Sequence, residues 1–208
     1  MPITLISLLD YAGVATFAAS GAMMAAEKRQ DILTFIFFAA ITGVGGGTLR
    51  DLLIGAPVFW VVDPGYSVVC AAMAVLVWLT RGHGLPGRAL LWLDAVGLCT
   101  YATVGAAKAL ALGVSPVVCV VMGAITATFG GVIRDVLANE PSILLRRELY
   151  ITPAIVSAAV FIVLAWLNMA IVWASVIGVA LGFVARAGAI ISGWRLPAFS
   201  PPDKKTPE

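Results

Sequence analysis

Long apolar runs separated by short polar or Gly/Pro-rich stretches dominate this 208-residue chain. A membrane-crossing helix needs about 20 mostly apolar residues. Seven runs approach that length, at roughly 4–26, 32–54, 61–79, 89–112, 116–138, 150–167 and 169–190. Only Asn168 and its neighbours separate the last two, which predicts a tight helical hairpin. The pattern predicts an all-α membrane protein with seven transmembrane helices. No basic residue precedes the first run, and Lys28 and Arg29 follow it. It therefore reads as a retained membrane helix, not as a cleaved leader.

Within the second run, "ITGVGGGTLRDLL" departs from its surroundings: three glycines and an Arg-Asp pair follow one another. Glycine costs a helix about 1 kcal/mol relative to alanine, and a charge near the bilayer centre costs at least about 2.5–3.5 kcal/mol. The same two penalties recur in the second half of the chain. When Leu9 is laid on Leu93 and the register is kept without a gap, "LDYAGVATFAASGA" falls on "LDAVGLCTYATVGA". Further along, "AITGVGGGTLRDLLIGAP" falls on "AITATFGGVIRDVLANEP". About a third of the positions in 9–57 are identical to their partners. Each unit holds three spans, and an odd number means that the second copy enters the membrane from the opposite side. The chain is thus two inverted-topology three-helix repeats plus a seventh helix. The expected divisions are 1–86, 87–168, 169–192 and a disordered cytoplasmic tail, 193–208.

Each repeat carries two polar stripes. Thr42, Gly46 and Arg50 share one helix face, as do Thr126, Gly130 and Arg134. The glycines admit two readings. One is close helix packing; the other is a break or kink exposing backbone carbonyls and hydroxyls to a watery cavity. A glycine triplet repeated beside a charge favours the break. Asp51 and Asp135 follow the arginines, and sequence neighbours on a helix need not pair. Snorkelling arginines are an alternative, but both copies keep Arg-Asp although the helices run oppositely. That favours a charge and its acid at each end of a pathway. Asp10, Gly13, Phe17 and Gly21 form the second stripe, matched by Asp94, Gly97, Tyr101 and Gly105, with Lys108 one turn further on. Asp10 and Asp94 read either as first-turn acids favoured by the helix dipole or as pathway groups.

Charge then orients the chain. Lys28 and Arg29, Arg81 and Arg88, Arg146 and Arg147, and the tail's Arg195, Lys204 and Lys205 all fall on one side of a seven-span fold. The opposite loops, around Gly65, Gly113 and Asn168, hold no Lys or Arg. The positive-inside rule then predicts an outside N-terminus and a cytoplasmic C-terminus. Only 12% of residues are charged and 61% are hydrophobic, against about 25% charged in soluble domains. A net charge of +2 without a basic stripe excludes nucleic-acid binding as an expectation. Cys70, Cys99 and Cys119 lie inside apolar runs without metal or redox spacing, and His83 stands alone in a glycine-rich loop. No catalytic, phosphate-binding or dinucleotide motif occurs. No enzyme activity, cofactor or metal site is expected.

"GGGTLRD" with "FGGVIRD", in two three-helix repeats followed by a seventh helix, resembles the trimeric intracellular cation channel (TRIC) family. Its prokaryotic branch is also catalogued as a glycine-transporter-like domain. The resemblance covers about residues 9–190. It implies a homotrimer among membrane lipids, with a pore inside each subunit that conducts monovalent cations, chiefly potassium. In the family, glycine-rich kinks in the second and fifth helices shape that pore; the matching positions are Gly45, Gly46 and Gly47, then Gly130 and Gly131. The second copy is one glycine short, with Phe129 before its pair. The chain lacks the long basic tail of animal members, which implies a prokaryotic plasma (inner) membrane protein.

Two functions follow from these residues. In a potassium channel, Thr16, Thr42, Thr126 and exposed carbonyls near the glycines replace water around the ion, with Asp94 and Tyr101 on the same pathway. Arg50, Lys108 and Arg134 are then structural or gating charges, which Asp51, Asp94 and Asp135 must neutralise. In a secondary transporter of a small zwitterion such as glycine, the arginines bind the substrate carboxylate. A non-transporting scaffold accounts for the small residues but not for a charged inverted repeat.

Overall fold

The computed structural model describes residues 5–80, 88–145, 149–195 and 197. Arg81, His83, Arg146, Arg147 and nearly all of the tail lie outside the described residues. The elements are helices α1 (Leu5–Glu27), α2 (Ile32–Leu53), α3 (Phe59–Val62), α4 (Gly65–Leu79), α5 (Ala89–Ala111), α6 (Pro116–Leu137), α7 (Ile151–Trp166) and α8 (Ile171–Ser192). A 3₁₀ turn, Ile143–Leu145, precedes α7. The membrane helices are α1, α2, α4, α5, α6, α7 and α8. Five of them, all but α4 and α7, are long and apolar enough to cross a bilayer by themselves. At 1.5 Å per residue, the 15 residues of α4 and the 16 of α7 span about 22–24 Å, short of a hydrocarbon core of about 30 Å.

The hydrophobic pattern alone places the third span at 61–79, whereas α4 starts only at Gly65. Pro64 stands in front of it, and the Asp63 carboxylate accepts the Gly65 N–H at 2.9 Å. The preceding residues form the separate one-turn helix α3. The α7–α8 connection is the tight turn expected around Asn168, which adopts φ 61°. Its N–H reaches the Ala165 carbonyl, and Met169 N–H that of Leu164.

Backbone geometry repeats in the same register as the sequence. Arg29 and its repeat equivalent Gly113 both take positive φ, after α1 and α5; Gly55 and Asn139 do so after α2 and α6. Each position ends its helix with a backbone bond that reaches back around the last turn, such as Gln30 N–H to Ala25 and Val114 N–H to Ala109. The ends of α1 and α6 meet where Lys28 Nζ lies 2.6 Å from Glu140 Oε1. The ends of α2 and α5 meet where Lys108 Nζ lies 2.8 Å from Asp51 Oδ1. Successive helices are antiparallel, so these are opposite faces of the bundle, named below the Lys28 face and the Lys108 face. The helix α1 ends on the first and α5 on the second, which makes the repeats inverted. At the Lys28 face Arg88 reaches the Ile190 carbonyl at 3.2 Å, tying the end of α8 to the start of α5. The start of α1 and the end of α8 therefore lie on opposite faces.

Asp31 caps α2, its carboxylate accepting the Thr34 N–H at 2.9 Å. That bond lowers the Asp31 pKa, so its stabilisation is present above the unfolded carboxylate range and is lost as pH falls through the folded value. Asp31→Ala is expected to lower the thermal midpoint at pH 7 and to lose this effect in acid. Melting curves of both proteins across pH check it.

Candidate functional site: paired charge clusters and a central crossing

The two repeats touch along two helix pairs. Between α1 and α5, the Phe17 ring packs on Gly97 and the Tyr101 ring on Gly13. The two rings are tilted against each other at 5.4 Å. Phe17 and Tyr101 are repeat equivalents, so this contact carries the symmetry in its own residues. Between α2 and α6, a Cβ on Gly46 would collide with the Thr126 carbonyl, and one on Gly130 with the Thr42 carbonyl. Main chain meets main chain here, and only glycine permits it.

The expected glycine breaks are absent: α2 and α6 are each one uninterrupted α-helix through their glycines. Close packing is the role these glycines play, because at Gly46 and Gly130 the backbones of the two helices approach each other directly. Gly45 faces the tip of Ile133, Gly47 the Phe59 ring, and Gly131 the Tyr150 hydroxyl. Thr42 and Thr126 are buried; Thr126 Oγ1 donates to the Met122 carbonyl at 2.6 Å. Thr16 likewise donates to its own helix, at the Gly13 carbonyl. The Tyr101 hydroxyl approaches the Gly43 carbonyl at 3.4 Å.

Each charged pair lies at the end of its helix, on opposite faces. Arg50 and Arg134 do not snorkel; they are 1% and 0% exposed. The Arg-Asp neighbours, whose pairing the sequence leaves open, do pair: Arg50 Nε and Arg134 Nε each lie 2.9 Å from Oδ1 of the following aspartate. The other carboxylate oxygen caps the next short helical element. Asp51 Oδ2 accepts the Phe59 N–H at 3.0 Å, and Asp135 Oδ2 the Ile143 N–H at 2.9 Å. Asp10 and Asp94 sit in the second turn of their helices and do not cap them. Asp10 accepts the Tyr66 hydroxyl at 2.9 Å.

The clusters then differ. At the Lys108 face, Lys108 adds a second cation to Asp51, and both it and Arg50 lie over the Phe59 ring, at 5.8 and 5.7 Å from its centre. Asp10 Oδ1 and Arg50 Nη1 have no hydrogen-bond partner among the described residues. At the Lys28 face, the equivalent groups close directly: Arg134 Nη1 lies 3.0 Å from Asp94 Oδ1 and also donates to Ser20. A cavity of about 220 Å³ opens beside this cluster, lined by Met24, Glu27, Leu90, Leu91, Asp135, Glu140, Pro141 and Ile143.

Further residues enter the site. Tyr66 and Tyr150 are repeat equivalents, as are Phe59 and Ile143; extending the register past Pro57 and Pro141 reaches both pairs. Ser20 has Val104 as its equivalent and carries no repeat signal. Arg186, fully buried in α8, is the one charge in a 22-residue apolar helix, and that isolation is its signal.

These features define a polytopic membrane protein of two inverted three-helix repeats that carries a buried charge cluster at either face. Residues 7–82 and 91–166 each match the family described as glycine transporter. The inner membrane protein YadS of Escherichia coli (strain K12) is 37% identical over 200 residues, which cover 94% of this chain and 97% of that protein. The structure of the TRIC trimeric intracellular cation channel orthologue from Rhodobacter sphaeroides superimposes with a TM-score of 0.88 at 44% identity, covering 92% of this chain and all of that one. A second TRIC structure, solved to explain conductance through these cation channels, gives 0.84 at 29% identity over 96% of this chain and all of its own. The chain belongs to this family, the TRIC family.

Proposed function

We propose that this protein is a cation channel of the TRIC type, conducting chiefly potassium through a path inside each subunit. The observation that carries this reading is the state of the arginines. An uncompensated positive charge in a cation path would repel the ion, and here the Nε side of each guanidinium is occupied by an aspartate. The same occupation weakens the zwitterion-transporter alternative, because the Nε edge of each guanidinium, which would take a substrate carboxylate side-on, already holds an aspartate. The solved TRIC relatives, cation channels by description, support the class. The α2–α6 crossing is the constriction of this path, and the two clusters are its mouths.

By the same likeness the protein assembles as a homotrimer in the inner membrane of a prokaryote. The Lys28 face is cytoplasmic, on the loop-charge asymmetry. In planar bilayers the purified protein is expected to give unitary potassium currents, and the reversal potential in a KCl gradient to lie on the cation side. Saturable glycine uptake into proteoliposomes without unitary currents would overturn the reading.

A further inference from the structure

At the Lys28 face, the turn between α1 and α2 and the last turn of α4 border a groove of about 350 Å³. Its lining is Ala26, Arg29, Gln30, Phe35, Val77 and Trp78, and the Phe35 and Trp78 rings meet edge to face at 5.0 Å. Four other charged residues stand at this turn, and none of them lines the groove. Lys28 pairs with Glu140. Glu27 and Glu140 line the separate cavity beside Asp135, and the Asp31 carboxylate holds the start of α2. Among the described residues Arg29 is the one charge lining the groove, and its guanidinium has no ion-pair or hydrogen-bond partner there.

Arg29 also stands where the backbone favours a different residue. It takes φ 53°, and its repeat equivalent, at the same turn after α5, is Gly113 at φ 76°. A side chain in this left-handed region carries a steric cost, and such costs persist where the side chain has a use. The rest of the equivalent surface is Leu110, Val114, Cys119, Phe161 and Ile162, wholly apolar. Repeat symmetry thus supplies an internal comparison. One face carries a cation, an amide and an indole at this place, and the other carries none of them.

We propose that this groove binds an anionic phospholipid, with Arg29 on the phosphate and Phe35, Val77 and Trp78 against the glycerol and first acyl carbons. A guanidinium offers planar paired donors that match a phosphate, and aromatic side chains settle at headgroup level. No carboxylate lines the groove among the described residues, so an ammonium headgroup finds no partner. That selects a lipid of net negative charge. On the sidedness proposed above, the lipid comes from the cytoplasmic leaflet, whose surface is negative. Binding here does not depend on which solute crosses the membrane.

The purified full-length protein in detergent is titrated with dioctanoyl phosphatidylglycerol while its melting midpoint is followed. A saturable rise of about 5 °C or more is expected at a hundredfold excess over Kd. Dioctanoyl phosphatidylcholine and inorganic phosphate at the same concentrations are expected to leave the midpoint near its starting value. Arg29→Gly is the decisive variant, because glycine takes the same backbone conformation, as Gly113 does, while the phosphate ligand is lost. Its midpoint without lipid is expected to stay near that of the wild type, and its apparent affinity to fall by about tenfold or more. Arg29→Lys is expected to fall in between. Arg88→Gln removes a cation from the same face outside the groove and is expected to keep the wild-type affinity. Lipid retained through purification is read by native mass spectrometry, present on the wild type and lost from Arg29→Gly. An equal response to phosphatidylcholine or to inorganic phosphate overturns the proposal, as does wild-type affinity in Arg29→Gly or an equal loss in Arg88→Gln. So does a wild-type protein with neither retained lipid nor a lipid response, the result expected if a second copy of the chain covers the groove.

Discussion

Gly46→Ala and Gly130→Ala are each expected to destabilise the folded protein by about 3 kcal/mol or more, the upper end for overpacking. The added methyl would overlap a carbonyl of the facing helix, Thr126 in one case and Thr42 in the other. A side chain could turn aside, but a carbonyl inside a helix cannot move without its helix. Gly45→Ala is the control. Its Cβ would meet only Ile133 Cδ1, at 3.2 Å, the far end of a flexible side chain. Alanine also gains about 1 kcal/mol of helix propensity over glycine, so this variant is expected to be neutral or more stable. Thermal unfolding in detergent checks all three. Equal melting of Gly45→Ala and Gly46→Ala would refute the backbone contact.

Arg134→Met is expected to cost about 3–5 kcal/mol, the range for leaving a buried carboxylate without its partner. Asp94 and Asp135 both lose their cation, and Ser20 its donor. Arg50→Met should cost less, although the residues are repeat equivalents, because Lys108 still holds Asp51 at 2.8 Å. Adding Asp94→Asn to Arg134→Met should recover part of the loss, since the second substitution removes a charge that has become unpaired. Denaturation midpoints of wild type and these variants test this. Equal losses for Arg50→Met and Arg134→Met would remove Lys108 from the account.

Much of the fold is legible because membrane helices follow length and apolarity, and because an ungapped repeat constrains topology beyond any single helix. The α4 start is harder to see. Val61 and Val62 are as apolar as the span they precede, and only the Asp63–Pro64 pair separates them from it. The glycines mislead for a physical reason: a glycine carries the same helix penalty whether it breaks the helix or admits a neighbour's backbone. Sequence distance likewise hides the ring around each charge. Asp51 and Phe59 meet because the chain turns back after α2, and Tyr150 comes beside Asp94 from the residue just ahead of α7. Arg186 escapes notice because it lies outside the repeat that makes the other charges conspicuous.

The crossing of α2 and α6 also limits how the molecule can move. Thr42 is the eleventh of 22 residues in α2, and its carbonyl abuts Gly130 in a helix of equal length. Both surfaces at this point are main chain, so no rotamer change can separate the helices there. Each helix must shift as a rod, a collective motion of the microsecond-to-millisecond class. Two rods pinned near mid-length behave as crossed levers. Because Arg50 and Arg134 ride near their far ends on opposite faces, a shift of either rod about this crossing is felt at both charge clusters.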